Sequence, residues 1–193
     1  MSNPPELIER GIFVKQLLAD PGAMLIVCGL GFVGSDVAAA GDRPLNFYIH
    51  GVMGAAASVG LGLALARKDR RVLVVTGDGE LMMNIGSLAT IAAQRPTNLS
   101  IVVLDNERLG ATGSQLSLTS HGVDIAGIAR ASGFPDAITV RSPDEAPNAI
   151  KRIRSGDGPF LAVVKVSRER VRAAVPLWDG VELKARFRKA LPA

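Results

Sequence analysis

The chain has 193 residues, enough for one well-cored domain and too few for two full ones. It is 48% hydrophobic with few aromatics and 21 glycines, which suits an α/β domain with closely packed helices, and its one cysteine, Cys28, excludes an internal disulfide framework and makes a reduced, cytoplasmic setting the expectation. The net charge of +4 does not make it a nucleic-acid binder: residues 1–167 hold 15 basic and 15 acidic side chains, residues 168–193 hold seven and three, and no aromatic-rich basic stripe accompanies the excess.

In chain order, "MSNPPELIER" has no apolar core of signal-peptide type, and no stretch is long and uncharged enough to span a bilayer, so no membrane role is expected. "PELIERGIFVKQLLAD" predicts a helix with Leu7, Ile8, Gly11, Ile12, Leu17 and Leu18 near one face. Strand-like "AMLIVCGL", "NFYI", "RVLVVTG", "LSIVVLD" and "FLAVVKV" follow. Helical "GAAASVGLGLALARK", "ELMMNIGSLATIAAQ", "DIAGIARASG" and "PDEAPNAIKRIRSG" lie between them. Continuously apolar strands separated by helices predict a doubly wound, mostly parallel sheet with helices on both faces. The expected organisation is one such domain over 1–167, followed by a basic tail over 168–193 that is solvated or faces a partner.

Ligands bind such sheets at the carboxyl ends of the strands. Gly77-Asp78-Gly79 stands at one such end, just before the helix expected from Glu80 to Gln94. The glycines permit close backbone approach, and N–H groups at a helix start can hold a phosphate oxygen. A carboxylate there would repel phosphate unless a divalent cation lay between them, and Mg²⁺ takes carboxylate and phosphate oxygens together. The next strand ends on Asp105-Asn106. Either motif alone reads as a turn; together, on neighbouring strands, they would converge on one ion.

Two look-alikes are set aside. Gly156-Asp157-Gly158 precedes Pro159 and a strand rather than a helix, and reads as a turn. Gly29, Gly31 and Gly34 spell G-x-G-x-x-G after a strand. The next strand ends without an acidic residue, however, and "FVGSDVAAAGDRP" promises only a short, poor helix. This stretch is expected to be a glycine-rich loop on the same rim. In "HGVMGAAASVGLGLALA" the small residues suit a closely packed helix, and Met53 by itself would be ordinary core.

"GDG", then 25 residues, then "DN" resembles the signature of thiamine diphosphate enzymes, and "GVMGAAASVGLGLALA" is similar to the segment preceding it. "NERLGATGSQLS" and "HGVDIAGIARASGF" fit the downstream pattern of the decarboxylases of sulfopyruvate (beta subunit) and phosphonopyruvate (C-terminal half). The resemblance covers about residues 20 to 167. It departs at Asp105, where the signature has a first asparagine.

The resemblance implies thiamine diphosphate and Mg²⁺ as cofactors. Mg²⁺ would be held by Asp78, Asn106 and the Arg108 backbone carbonyl, and the diphosphate by the Gly77-Asp78-Gly79-Glu80 run. Met53 would stand under the bent cofactor, with its N–H and the Gly51 carbonyl on the aminopyrimidine. The cofactor's C2 then attacks a 2-keto acid, and the ring accepts the electrons released with CO₂. The glutamate that such chemistry needs on the pyrimidine would come from a separate pyrimidine-domain subunit, making a hetero-oligomer. His50, beside Gly51, is a candidate to face a short anionic 2-keto acid. A carboligase or oxidoreductase component, or a nucleotide-binding regulatory module using the Gly29 loop, are the alternatives.

Overall fold

The computed structural model describes residues 7–155, 157–168 and 174–191. In chain order its elements are α1 (Arg10–Leu17), β1 (Leu25–Cys28), α2 (Phe32–Gly41), β2 (Asn46–Tyr48), α3 (Ala56–Ala66), β3 (Val72–Gly77), α4 (Asp78–Met82), α5 (Ser87–Gln94), β4 (Leu99–Asp105), β5 (Arg108–Leu109), β6 (Gln115–Leu116), α6 (Ile125–Ala131), β7 (Asp136–Val140), α7 (Ala146–Ser155), β8 (Phe160–Lys165) and α8 (Gly180–Ala190). Six strands form one parallel sheet in the order β2-β1-β3-β4-β8-β7, and β5 and β6 form a small antiparallel hairpin.

Because side chains alternate along a strand, each central strand feeds two cores. Ile26, Leu73 and Val102 pack beneath Phe13 and Leu17 of α1 and Ile153 of α7. Leu25, Val74 and Ile101 pack beneath Leu61 of α3, Ile91 of α5 and Ala129 of α6. The sheet is therefore doubly wound, as the apolar strands predict. The small residues of α3 allow its close seat: a Cβ on Gly60 would lie 2.2 Å from Cγ2 of Val74.

Several expectations need correction. The first helix begins at Arg10, because the Glu9 side chain accepts the N–H groups of Gly11 and Ile12 and caps it there. Its buried face is Arg10, Phe13, Val14 and Leu17; Ile12 is exposed, and Ile8 pairs with Val166 in an extended bridge. The segment after the Gly29 loop is a full ten-residue helix, α2, rather than a poor one. The helix expected over 80–94 is two, α4 and α5, with the chain turning through Met83–Gly86. β7 and the β5–β6 hairpin add strands the apolar pattern does not show.

The basic segment after residue 167 ends in a docked helix. α8 lies along the β2 edge with Leu183 in one core and Phe187 in the other, where Phe187 meets Phe47 edge-on at 5.3 Å. Arg186 reaches Asp42 at 2.7 Å. In the second Gly-Asp-Gly, Gly156 lies outside the described residues. Gly158 donates to the Thr97 carbonyl at 2.7 Å, in a connection that leads directly into β8.

Candidate functional site

β3 and β4 are direct neighbours, with Gly77 level with Leu104, so their carboxyl ends put Asp78 and Asp105-Asn106 side by side. One cleft is lined by Gly31, Met53, Asp78, Gly79, Asn106 and Arg108. The Gly29 loop thus stands on the same rim. Gly79 lets the Leu109 side chain pack against the backbone here: a Cβ would lie 2.1 Å from its Cδ2 and would have to push it aside.

Asp78 is buried, at 1% exposure. Its Oδ2 takes a hydrogen bond from the Ser117 hydroxyl and lies 3.0 Å from the hydroxyl of Thr119, whose one proton it shares with Asp105. Burial pushes its carboxyl above the usual range, the nearby Asp105 adds to the push, and the two hydroxyls oppose it. A bound cation would answer both the burial and the like charge. Asp105 itself is fully engaged. It accepts from the Glu107 N–H at 3.0 Å and from Thr119 at 2.8 Å, and its other oxygen meets Nζ of Lys165 at 2.8 Å. That explains why this position tolerates a carboxylate where the signature has an asparagine: its oxygens are committed to structure.

The Asn106 side-chain oxygen accepts the Arg108 N–H at 3.1 Å. In the hairpin the neighbouring Glu107 carbonyl bonds across to Ser117 N–H. By antiparallel alternation, the Arg108 carbonyl points away from β6. Glu107 makes this possible by adopting φ 60°, the left-handed region, and its carboxylate is tied to Lys165 and Arg168. The oxygens gathered here are hard donors suited to Mg²⁺. Among the described residues no group of three or more His, Cys, Asp or Glu could hold a metal alone. A cation at Asp78 and Asn106 would need further oxygens from a ligand, which a diphosphate has. The residues fit the pair.

Glu80 lines the same cleft and also braces a neighbouring turn. Its side chain turns away from solvent, and its Oε1 accepts Gly54 N–H at 3.0 Å and Ala56 N–H at 3.4 Å. Burial raises its carboxyl above the usual range, against those backbone bonds. Asn84 holds the same turn by donating to the Gly54 carbonyl at 3.1 Å. Gly54, at φ 82°, could not be another residue, since a Cβ would lie 2.7 Å from that of Asn84. Met53 and Gly51 therefore sit on a turn braced to α4.

His50 lies at the end of β2, lining an adjoining cleft with the Gly29 loop. Its Nε2 is 2.8 Å from the Leu177 carbonyl, and its ring is 4.1 Å from that of Trp178. The C-terminal segment fastens this ring, which favours a structural hold over proton transfer. Ser117, Thr119 and Lys165 were not picked out from the sequence. The available signal was the hydroxyl pair in "SLTS" and a lysine closing an apolar strand.

Residues 33–164 match the family described as thiamine pyrophosphate enzyme, C-terminal TPP binding domain. The chain belongs to this family. It is similar to the sulfopyruvate decarboxylase subunit beta of Methanothermobacter thermautotrophicus, 39% identical over 95% of this chain and 92% of that one. It is similar to the phosphonopyruvate decarboxylase of Streptomyces hygroscopicus, 40% identical over 77% of this chain and 37% of that one. A more distant likeness, 32% identity over 65% of this chain and 24% of that one, is to the acetolactate synthase isozyme 1 large subunit of Escherichia coli. The thiamine pyrophosphate of this family is thiamine diphosphate under its other name. Among the described residues no helix is long and apolar enough to cross a membrane.

Proposed function

We propose that this chain is the diphosphate-binding subunit of a cytoplasmic, thiamine diphosphate-dependent decarboxylase acting on a short anionic 2-keto acid of the sulfopyruvate or phosphonopyruvate kind. The observation that carries the reading is the convergence of Asp78, Asn106 and Met53 on one cleft, in a chain that matches a sulfopyruvate decarboxylase beta subunit nearly end to end.

Asp78 and Asn106 hold Mg²⁺ through their side chains and Arg108 through its carbonyl. The backbone of Gly77, Gly79 and Glu80 approaches the diphosphate, with no Cβ at either glycine to keep it away. Met53 would lie against the cofactor, and its N–H and the Gly51 carbonyl would hold the aminopyrimidine. When bound, thiamine diphosphate supplies a carbon nucleophile and an electron sink for the carbon that loses CO₂. A second, alpha-type subunit with a pyrimidine-binding domain contributes the glutamate for the aminopyrimidine and completes a hetero-oligomer. His50 forms part of the wall on the substrate side.

Calorimetry with thiamine diphosphate plus Mg²⁺, with NAD as the control ligand, tests the binding reading. Binding of the first pair, lost in Asp78→Ala and kept in Asp157→Ala, is expected. Binding of NAD instead, or identical behaviour of the two variants, would sink it. A panel of sulfopyruvate, phosphonopyruvate and pyruvate, given to the chain purified with its native partner, then tests the substrate class. Net carboligation of pyruvate would move the chain to the acetolactate synthase kind of activity.

A further inference from the structure

The loop that leaves the Asn106 end of the site returns to it, and two of its hydroxyls close on Asp78. Ser117 and Thr119 engage the same carboxylate oxygen, Oδ2, across 39 and 41 residues of sequence, and they lie 2.9 Å from each other. Both are buried, at 3% and 5% exposure. The Thr119 hydroxyl has a single proton, shared between Asp105 Oδ1 at 2.8 Å and Asp78 Oδ2 at 3.0 Å, so one side chain bridges the ends of β3 and β4. Asp105 is a fixed post, held by Lys165 on one oxygen and by the Glu107 N–H on the other.

We propose that Thr119, with Ser117 beside it, is a positioning residue for the metal. It ties Asp78 Oδ2 to the anchored Asp105, leaving Oδ1 as the oxygen offered to the cation beside Asn106. This rests on the reading of Asp78 as a Mg²⁺ ligand. The physical need is plain. A free carboxylate on the short helix α4 could rotate about two side-chain torsions, and two carboxylates on adjacent strands repel. A hydroxyl between them fixes the rotamer and separates the charges without adding a cation that would compete with Mg²⁺. The loop from Glu107 to His121 is closed onto α4 by the same bonds, so the segment carrying Asn106 and Arg108 is held at both ends. Groups that orient metal ligands from behind commonly contribute about 10- to 100-fold to metal affinity.

The test uses the full chain purified with the subunit it assembles with. Mn²⁺, which shares Mg²⁺'s preference for oxygen ligands, is titrated by electron paramagnetic resonance with and without thiamine diphosphate. The unaltered protein should bind Mn²⁺ in the presence of the cofactor, and Asp78→Ala should not. Failure there would refute the metal-site reading itself. Thr119→Val keeps the shape and removes the hydroxyl, and should weaken Mn²⁺ binding by about tenfold or more. Thr119→Ser, which restores the hydroxyl, should recover binding to within about threefold while keeping the same spectrum as the unaltered protein. Thr119→Val binding as tightly as the unaltered protein would overturn the proposal. So would an equal loss in Thr119→Ser, which would assign the effect to packing. If Thr119→Val does not fold, Ser117→Ala carries the same expectation of weakened binding, and unchanged binding there overturns the proposal.

Discussion

The Glu80 carboxylate accepts the backbone N–H of Gly54 at 3.0 Å, joining α4 to the turn before α3 across 26 residues of sequence. This bond links the two halves of the site, because Met53 precedes Gly54 and Gly79 precedes Glu80. Removing the carboxylate in Glu80→Ala leaves two buried N–H groups without their acceptor. A stability loss of about 1–3 kcal/mol is expected from unsatisfied donors of this kind. The Mg²⁺–thiamine diphosphate affinity should fall with it, because the Met53 turn loses its brace. Thermal unfolding and calorimetry on the same preparation check both, and unchanged values for both would show that Asn84 alone holds the turn.

Met53 separates binding from turnover. Met53→Ala leaves Asp78, Asn106 and the backbone around Gly79 intact, so the diphosphate anchor should persist. The bend of the cofactor should loosen, and positioning of reacting groups is a geometric requirement that a small displacement degrades. The expected result is a kcat lowered by about tenfold or more with cofactor affinity changed by less than about threefold. Steady-state kinetics of the assembled enzyme read the split, and an unchanged kcat would make Met53 ordinary core.

Much of this was legible in the sequence, and the reasons differ from element to element. The strings around Asp78 and Asn106 sit at the ends of β3 and β4, and a doubly wound sheet brings the ends of neighbouring strands to one rim. The local strings were therefore enough to bring the two residues together. The bonds of Ser117 and Thr119 to Asp78, and of Glu80 to Gly54, cross tens of residues, and no periodicity reports them. Apolar spacing alone puts the first helix on the wrong face, because Glu9 sets its start and capping outweighs a loose apolar pattern. β7 escaped because an edge strand reading Asp-Ala-Ile-Thr-Val is half-buried and short. By its charge alone the C-terminal segment reads as a solvated or partner-facing tail. Yet Leu183 and Phe187, four apart in a helical pattern, already marked a buried stripe.

That docked helix makes its own prediction. Phe187→Ala should destabilise the fold by about 3 kcal/mol, the usual cost of emptying a buried aromatic position. Burial pushes the Asp42 carboxyl up, but hydrogen bonds from Arg186 and Tyr48 outweigh it and hold the group below its usual range. A carboxyl depressed in the folded state contributes stability above its unfolded pKa, and that contribution is lost as pH falls through the folded value. Arg186→Gln should therefore be less stable than the unaltered chain at neutral pH, with the gap narrowing below about pH 4. Unfolding midpoints across that range check it, and a gap independent of pH would contradict the pairing.

The central claim is that this chain holds one half of a cofactor site. The family's C-terminal TPP binding domain is matched over residues 33–164, which hold most of the sheet and helices but not α1, β1 or α8. Of its glutamates near the cleft, Glu80 is committed to the Gly54 turn, and Glu107 to Lys165 and Arg168. Neither is placed to polarise an aminopyrimidine from the opposite side. The direct measurement is a decarboxylation assay on the chain purified to homogeneity, supplied with thiamine diphosphate, Mg²⁺ and a panel of 2-keto acids. CO₂ should be released only at background rate until the native partner is added, and then at ordinary enzymatic rates. Full activity from this single polypeptide would contradict the account.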